Sequence, residues 1–404
     1  MSAMFSASRR REAMRVLRTS GPRGLAQRAV RAAYSRLGAS ELEARLDLDL
    51  IADSRRLALR APAQRPARGT PLTVGWICTP PAPGSGGHTT MFRMIEGMEA
   101  AGHTCVIYTH DVYGGELARH ERVIRDSWPG MRAEVRSVAD GLAPLDAYLA
   151  SGWETAHVLA AHGDLVTRRL YFIQDFEPLF YPAGSHYVLA EDTYRFGFRS
   201  IVVGPMLADL LRDRFGIEAR IAEFGCDTSV YRLTNPAPRT GVVFYAKRDY
   251  ARRGFILGAL ALREFHRRHP EQEIHLFGDA TVKLPFPHQN HGTLRPAELS
   301  ELYNRAAAGI AMSFTNLSLV PDEMLACGVV PVVGESAYAK ASMENSFVRW
   351  VPPTGSGIAD ALSDIVSGGG PSPAQVAANI RQTPWEEAKR VTRETIEDEV
   401  YGPA

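Results

Sequence analysis

From Leu72 onward the chain alternates short apolar, β-branched runs with amphipathic helical stretches, and the alternation restarts once. "LTVGWICTP" reads as a strand, "GGHTTMFRMIEGMEAAG" as a glycine-rich turn opening a helix, and "HTCVIYTHD" as a second strand. Such a βαβ unit places its strands parallel, with helices covering the sheet. "LDAYLAS", the helix around "ETAHVLA", "RRLYFIQDFEP" and "SIVVGPMLADLLRDRFG" continue the series. At "GVVFYAKRDYARRGFILGALALREF" it begins again, followed by "EIHLFGD", "AELSELYNRAAAGIAMS" and "SFTNLSLVPDEMLACGVVPVV", whose end has the apolar run of a buried parallel strand. The pattern predicts an α/β protein of two Rossmann-like domains meeting near residues 225 to 240. Ligands in such sheets bind outside the carboxyl ends of the strands.

Composition fits this reading. The chain has 404 residues, 45% hydrophobic and 23% charged, enough for two ordinary domains. No apolar run approaches the roughly 18 residues of a membrane span, and no secretion-signal core precedes the first strand, so a cytoplasmic location is expected. Cys78, Cys105, Cys226 and Cys327 form no C-x-x-C pair, which argues against a zinc site or a disulfide framework. The net charge of +1 conceals an uneven distribution. Residues 1 to 37 hold nine arginines and one glutamate, a charge of +8, leaving −7 on the rest. This basic arm reads either as an amphipathic element for an anionic membrane surface or as a solvated tail. No nucleic-acid module accompanies it. Residues 40 to 59 read as a helix with Ser40 as cap and Glu43 at the capping-box position. Asp47 and Asp49 in it spell D-x-D, a metal-binding signature in some sugar-transferring enzymes, but they precede every strand and read as solvated. Residues 60 to 71 form a Pro-rich linker.

Three loops carry the chemistry. Residues 313 to 321 lie between a strand and a helix start, where backbone amides and the helix dipole favour an anion. Glu323, in the first helical turn, either complements that dipole or binds hydroxyls such as those of a ribose. In "FYAKRDYARRG" the cations Lys247, Arg248, Arg252 and Arg253 follow a strand, and a diphosphate is their natural partner. Only four lysines stand against 42 arginines, which makes Lys247 unusual. In "PPAPGSGGHTT", Gly86 and Gly87 let backbone approach a ligand, with His88 beside them. This is not a dinucleotide fingerprint, since Thr89 stands where G-x-G-x-x-G needs glycine. Asp111 does imitate the ribose-binding acid of an NAD site, so an NAD-dependent oxidoreductase is the rival enzyme. Asp175, Glu177 and His88 are the candidate general bases.

The segments "FYAKRDYARRGFILG", "LFGD", "GTLRPAELSELYNRAAAGIAMSFTNLSLVPDEMLACGVVPVV", "GGHTTMFRMIEGMEAAGH" and "YFIQDFEPLFYPAGSHYVLAEDTYRFGFRSIVVG" resemble bacterial rhamnosyltransferases of the WsaF type. These belong to the GT-B glycosyltransferases with family 4-like motifs, and the likeness covers roughly residues 70 to 385. The arm, helix and linker occupy 1–70, and the resemblance implies an acceptor domain over 71–230, a nucleotide-sugar domain over 231–385, and a C-terminal helix over 386–404 that crosses back. It implies a cleft between the domains, no metal and no cofactor beyond the nucleotide-sugar donor, with dTDP-rhamnose expected. Gly86, Gly87, Lys247, Arg248, Arg253, Gly278, Thr315, Asn316, Ser318, Leu319 and Glu323 fall at donor-binding motif positions. The wider group has a glutamate where Thr315 stands, and the branch usually has Arg-Pro where Lys247 and Arg248 stand. The expected function is transfer of a sugar to a cell-surface polysaccharide or lipid-linked glycan at the inner face of the membrane. The alternative is a non-catalytic nucleotide- or carbohydrate-binding protein on the same fold.

Overall fold

A computed structural model of the chain describes residues 46–380 and 384–402. It separates into two compact units, one of residues 1–51 with 112–114 and one of residues 52–111 with 115–404. In the smaller unit the only described secondary structure is a 3-10 turn, Leu48–Leu50, capped by Asp47, whose Oδ1 accepts from the Asp49 amide at 3.2 Å. The helix expected over 40–59 is therefore absent from its described part, 46–59, and the basic arm lies outside the described residues. The cause is visible from Ala52 onward. The Ala52 amide donates to His157 Nδ1 at 3.2 Å, and the Ser54 amide and hydroxyl donate to Asp192 at 3.0 and 2.6 Å. Bonds to distant side chains outcompete a short local helix, whose nucleation is unfavourable.

The larger unit holds two parallel sheets. The first comprises β1 (Thr73–Cys78), β2 (Thr104–Thr109), β3 (Glu134–Ser137), β4 (Ala147–Ala150), β5 (Arg168–Ile173), β6 (Arg199–Val202) and β7 (Arg220–Ile221), in the order β3-β2-β1-β4-β5-β6-β7. The second comprises β8 (Val242–Tyr245), β9 (Ile274–Phe277), β10 (Gln289–Asn290), β11 (Ala308–Ile310), β12 (Val330–Gly334) and β13 (Arg349–Val351), in the order β10-β9-β8-β11-β12-β13. All pairings are parallel. Each sheet reverses its winding beside its first strand, between β1 and β4 and between β8 and β11, and these switch points are where doubly wound sheets open a crevice.

The strands are apolar throughout because helices cover both faces. Val242, Val243, Phe244, Leu276, Ile310, Val332 and Val333 are inaccessible to solvent, as are Val74, Trp76, Ile107, Leu149 and Phe172 in the first sheet. Each sheet has its own core cluster. The chain passes between the lobes around residues 222 to 231. It returns as the helix Trp385–Tyr401, which packs on the helix Gly86–Ala100 and on β5, β6 and β7. Trp385 stacks on Phe224, 4.2 Å between ring centroids at 14°, and the Arg93 guanidinium lies 4.3 Å over its ring. Arg93 also pairs with Asp227 at 3.1 Å, so both crossings are fastened to one helix.

Candidate active site

The basic loop leaves β8 at the switch point of the second sheet. Its 3-10 turn, Ala251–Arg253, ends at Gly254, whose φ of +62° starts the helix Phe255–Arg268. A Cβ there would lie 2.9 Å from Met312 Cβ, so glycine lets the turn close on the loop after β11. In this position Arg253 Nη1 donates to Ser313 Oγ at 3.1 Å. Burial, and then the neighbouring Arg252, lower the Arg253 pKa. Lys247, Arg248, Asp249 and Tyr250 line a cavity of about 290 Å³ together with Gly278, Asp279, Ala280 and Thr293. At Gly278, φ +107°, a Cβ would come 3.1 Å from the Tyr245 ring, which keeps this wall of the cavity glycine. The Asp279 carboxyl is held below its usual range first by Thr281 and then by Arg248 and Lys247.

Across the cleft, Asp175 follows β5 of the first sheet and is buried. Its Oδ2 accepts from Thr315 Oγ1 at 2.8 Å, and its Oδ1 accepts from the amides of Asn316 at 3.1 Å and Phe176 at 2.9 Å. Asn316 Nδ2 donates to the Gln174 carbonyl at 3.1 Å. Arg252 Nε lies 3.7 Å from Asp175 Oδ2, with its guanidinium 4.1 Å over the Phe180 ring. Burial raises the Asp175 pKa, and Arg253 and Arg252 oppose the rise. Two guanidiniums thus share one carboxylate.

The other two candidate bases are also engaged. Glu177 Oε2 accepts from the Trp153 amide at 2.5 Å, at the start of the helix Trp153–Ala161, and from Tyr171 Oη at 3.3 Å. Its Oε1 faces Gly152, 3.4 Å from where a Cβ would stand, with a Glu154 oxygen 3.6 Å from the same point. Burial, then Glu154, push the Glu177 carboxyl well above the usual range. His88 Nε2 lies 3.1 Å from the Thr79 carbonyl and Nδ1 2.8 Å from Ser85 Oγ. The carbonyl can only accept, which assigns the proton to Nε2 and makes Nδ1 the acceptor. Burial lowers the His88 pKa and keeps the ring neutral near pH 7.

The helix after the polar loop is short, Val320–Ala326, so the cations of the basic loop supply more charge than its dipole. Glu323 is half-buried in its first turn. Burial, and then the neighbouring Asp322, lift its carboxyl to about 8, while the Tyr231 hydroxyl partly offsets this. Leu319 packs against the core cluster of the first lobe, and Ser318 lies beside it in the loop. Gly86 and Gly87 open the helix Gly86–Ala100, capped by Ser85, and Gly87 faces the Gln174 side chain. The structure therefore gathers Lys247, Arg248 and Gly278 around one cavity, and Arg253, Asp175, Thr315 and Asn316 in one cross-lobe network. Glu323 sits apart from both, among tyrosines. Arg252, Gln174 and Glu154 also belong here, and nothing local in the sequence marks Gln174 or Glu154. Asp111 is occupied within its own loop, accepting from Gly115 and pairing with His120. Among the described residues no three His, Cys, Asp or Glu are grouped to hold a metal ion.

The family model of the WsaF C-terminal domain matches residues 240–363, and that of the WsaF N-terminal domain matches residues 136–204. The chain is thus similar to WsaF in two separate stretches. The basic loop and residues 313 to 323 fall in the stretch matched by the WsaF C-terminal domain, and Asp175 and Glu177 fall in the stretch matched by the WsaF N-terminal domain. A curated relative, O-antigen biosynthesis protein RfbC of Myxococcus xanthus, is 31% identical over 364 residues. The match takes in 84% of this chain and 28% of that relative, so the chain spans little more than a quarter of its length. Among solved structures, a glycosyltransferase from Rickettsia africae ESF-5 is similar at a TM-score of 0.52 and 14% identity, over 82% of this chain and 95% of that one. Anabaena Alr3699/HepE, solved in complex with UDP and glucose, is similar at 0.54 and 12% identity, over 80% and 95%. At such identities the likeness speaks for the fold, which is GT-B.

Proposed function

We propose that this chain is a glycosyltransferase of polysaccharide biosynthesis that uses a nucleotide-sugar donor, with dTDP-rhamnose the leading candidate. The observation that carries the reading is the excess positive charge at the second switch point. Arg252 and Arg253 share the Asp175 carboxylate, and Lys247 and Arg248 line the adjoining cavity. A half-buried guanidinium whose hydrogen bond goes to a neutral serine suits a diphosphate, which would supply the missing countercharge. The name of the Myxococcus xanthus relative and the UDP and glucose of the Anabaena structure support the same class of chemistry.

In the reaction the bond from the sugar's anomeric carbon to the diphosphate breaks, and the acceptor oxygen bonds to that carbon. Negative charge grows on the departing nucleoside diphosphate, where Lys247 and Arg253 stabilise it. For transfer with inversion the acceptor's proton passes to a carboxylate of the first lobe. Glu177 suits this role, since its two hydrogen bonds end on Oε2 and leave Oε1 turned toward Gly152. The basic segment 1–37 would hold the enzyme at an anionic membrane surface. A screen of sugar nucleotides for thermal stabilisation tests the donor. A true donor at a hundred times its dissociation constant should stabilise the protein by about 2.7 kcal/mol, with dTDP-rhamnose above UDP-glucose. No stabilisation by any sugar nucleotide would sink the reading, and binding without turnover would leave a non-catalytic binding protein.

A further inference from the structure

Asp175 is buried and placed on the lobe opposite the basic loop, and its hydrogen bonds run across the cleft rather than into it. Thr315 Oγ1 and the Asn316 amide come to it from the second lobe, and the Asn316 side chain bonds the neighbouring Gln174 carbonyl. The loop held in this way has its own attachments to the basic turn. Ser313 Oγ accepts from Arg253 Nη1 and donates to the Asn316 carbonyl at 2.9 Å, while the Phe314 amide donates to the Arg252 carbonyl at 3.0 Å. A continuous set of bonds therefore joins the first lobe's Asp175 to the guanidinium of Arg253. Arg252 closes the set from the other side, lying against Phe180 and within 3.7 Å of the same carboxylate.

We propose that Asp175 is a positioning residue: through Thr315 and Asn316 it fixes the loop that aims Arg253, so that the diphosphate site is complete only when both lobes are joined. This deepens the glycosyltransferase reading and rests on it. It also separates Asp175 from the base. Both its oxygens are committed to the network, so a proton taken from an acceptor would weaken the bonds that align the donor's arginine. Joining the lobes before the donor arrives reduces the ordering that binding would otherwise have to impose.

The test is calorimetric titration of dTDP into the full chain and three variants. Positioning and simple electrostatics predict opposite signs, because deleting a carboxylate near Arg253 should by charge alone favour an anion. Asp175→Ala removes the bonds and should weaken dTDP binding about tenfold or more, the scale expected for losing a charge-assisted contact. Asp175→Asn keeps the shape and can still bond Thr315 and Asn316, so its affinity should return to within about threefold of the unaltered protein, well short of a full charge-assisted contact. Thr315→Val cuts the same link from the other end with the carboxylate intact, and should weaken binding in the same direction as Asp175→Ala. It also keeps the test decisive if Asp175→Ala does not fold. Affinity unchanged or tighter in Asp175→Ala and Thr315→Val would overturn the proposal, as would normal affinity with turnover abolished in both Asp175 variants, the signature of a base. No dTDP binding by the unaltered protein would overturn the donor reading and this inference with it.

Discussion

At Glu323 the structure turns a sequence motif into a stability statement. Its carboxyl is lifted from 4.5 to about 8, chiefly by burial. A carboxyl whose folded pKa exceeds its unfolded value keeps its proton in the folded state, and unfolding releases it between those two values. Stability from this group is therefore present below about pH 4.5 and falls as pH rises toward 8. Glu323→Gln should flatten that fall and raise the melting temperature at pH 8 relative to the unaltered protein. A lower melting temperature at pH 8 would show that the carboxylate is needed charged in the fold. Glu177 makes the matching kinetic prediction. A base with a raised pKa loses activity as pH falls through that raised value, so the acid limb of kcat/KM should lie above the ordinary glutamate range. Glu177→Gln should lower kcat by roughly a hundredfold or more, the usual scale of general base catalysis, while leaving dTDP affinity intact. Unchanged kcat would remove Glu177 from the chemistry. The sequence located Lys247 and Arg253 at the switch point because strand ends are where a doubly wound sheet places its loops, whereas Glu323, expected beside them from its helix start, lies apart among tyrosines. The Asp175 to Thr315 bond was not legible, because it joins residues 140 apart in sequence and no local pattern records such a contact.

Among the elements, the parallel strands were the most legible, since sheets covered on both faces demand apolar runs such as "GVVPVV", and β12 occupies Val330–Gly334 with every residue buried. The helix expected over 40–59 was misleading, because capping residues report a local preference that the bonds from Ala52 and Ser54 override. The helix Trp385–Tyr401 tests how the lobes are fastened. Its first residue is stacked on Phe224 and covered by Arg93, so Trp385→Ala removes a buried ring from the junction of both crossings. The expected cost is about 3 to 5 kcal/mol in equilibrium unfolding, the usual range for deleting a buried Trp. A loss below about 1 kcal/mol would mean that the ring contributes no more than an ordinary surface contact.

Over the whole molecule, a lobe that supplies carboxylates at the end of β5 is joined to a lobe that supplies cations at the end of β8. Among the described residues no helix is long and apolar enough to cross a membrane. The central claim is that the cationic cluster at the second switch point binds the diphosphate of a nucleotide sugar. Calorimetric titration of dTDP into the unaltered chain and into Arg253→Ala tests it most directly. The account predicts saturable binding by the unaltered chain and a loss of about 1.5 to 3 kcal/mol in the variant, roughly ten- to a hundredfold in Kd. Equal affinity in the two proteins, with both still folded, would contradict it.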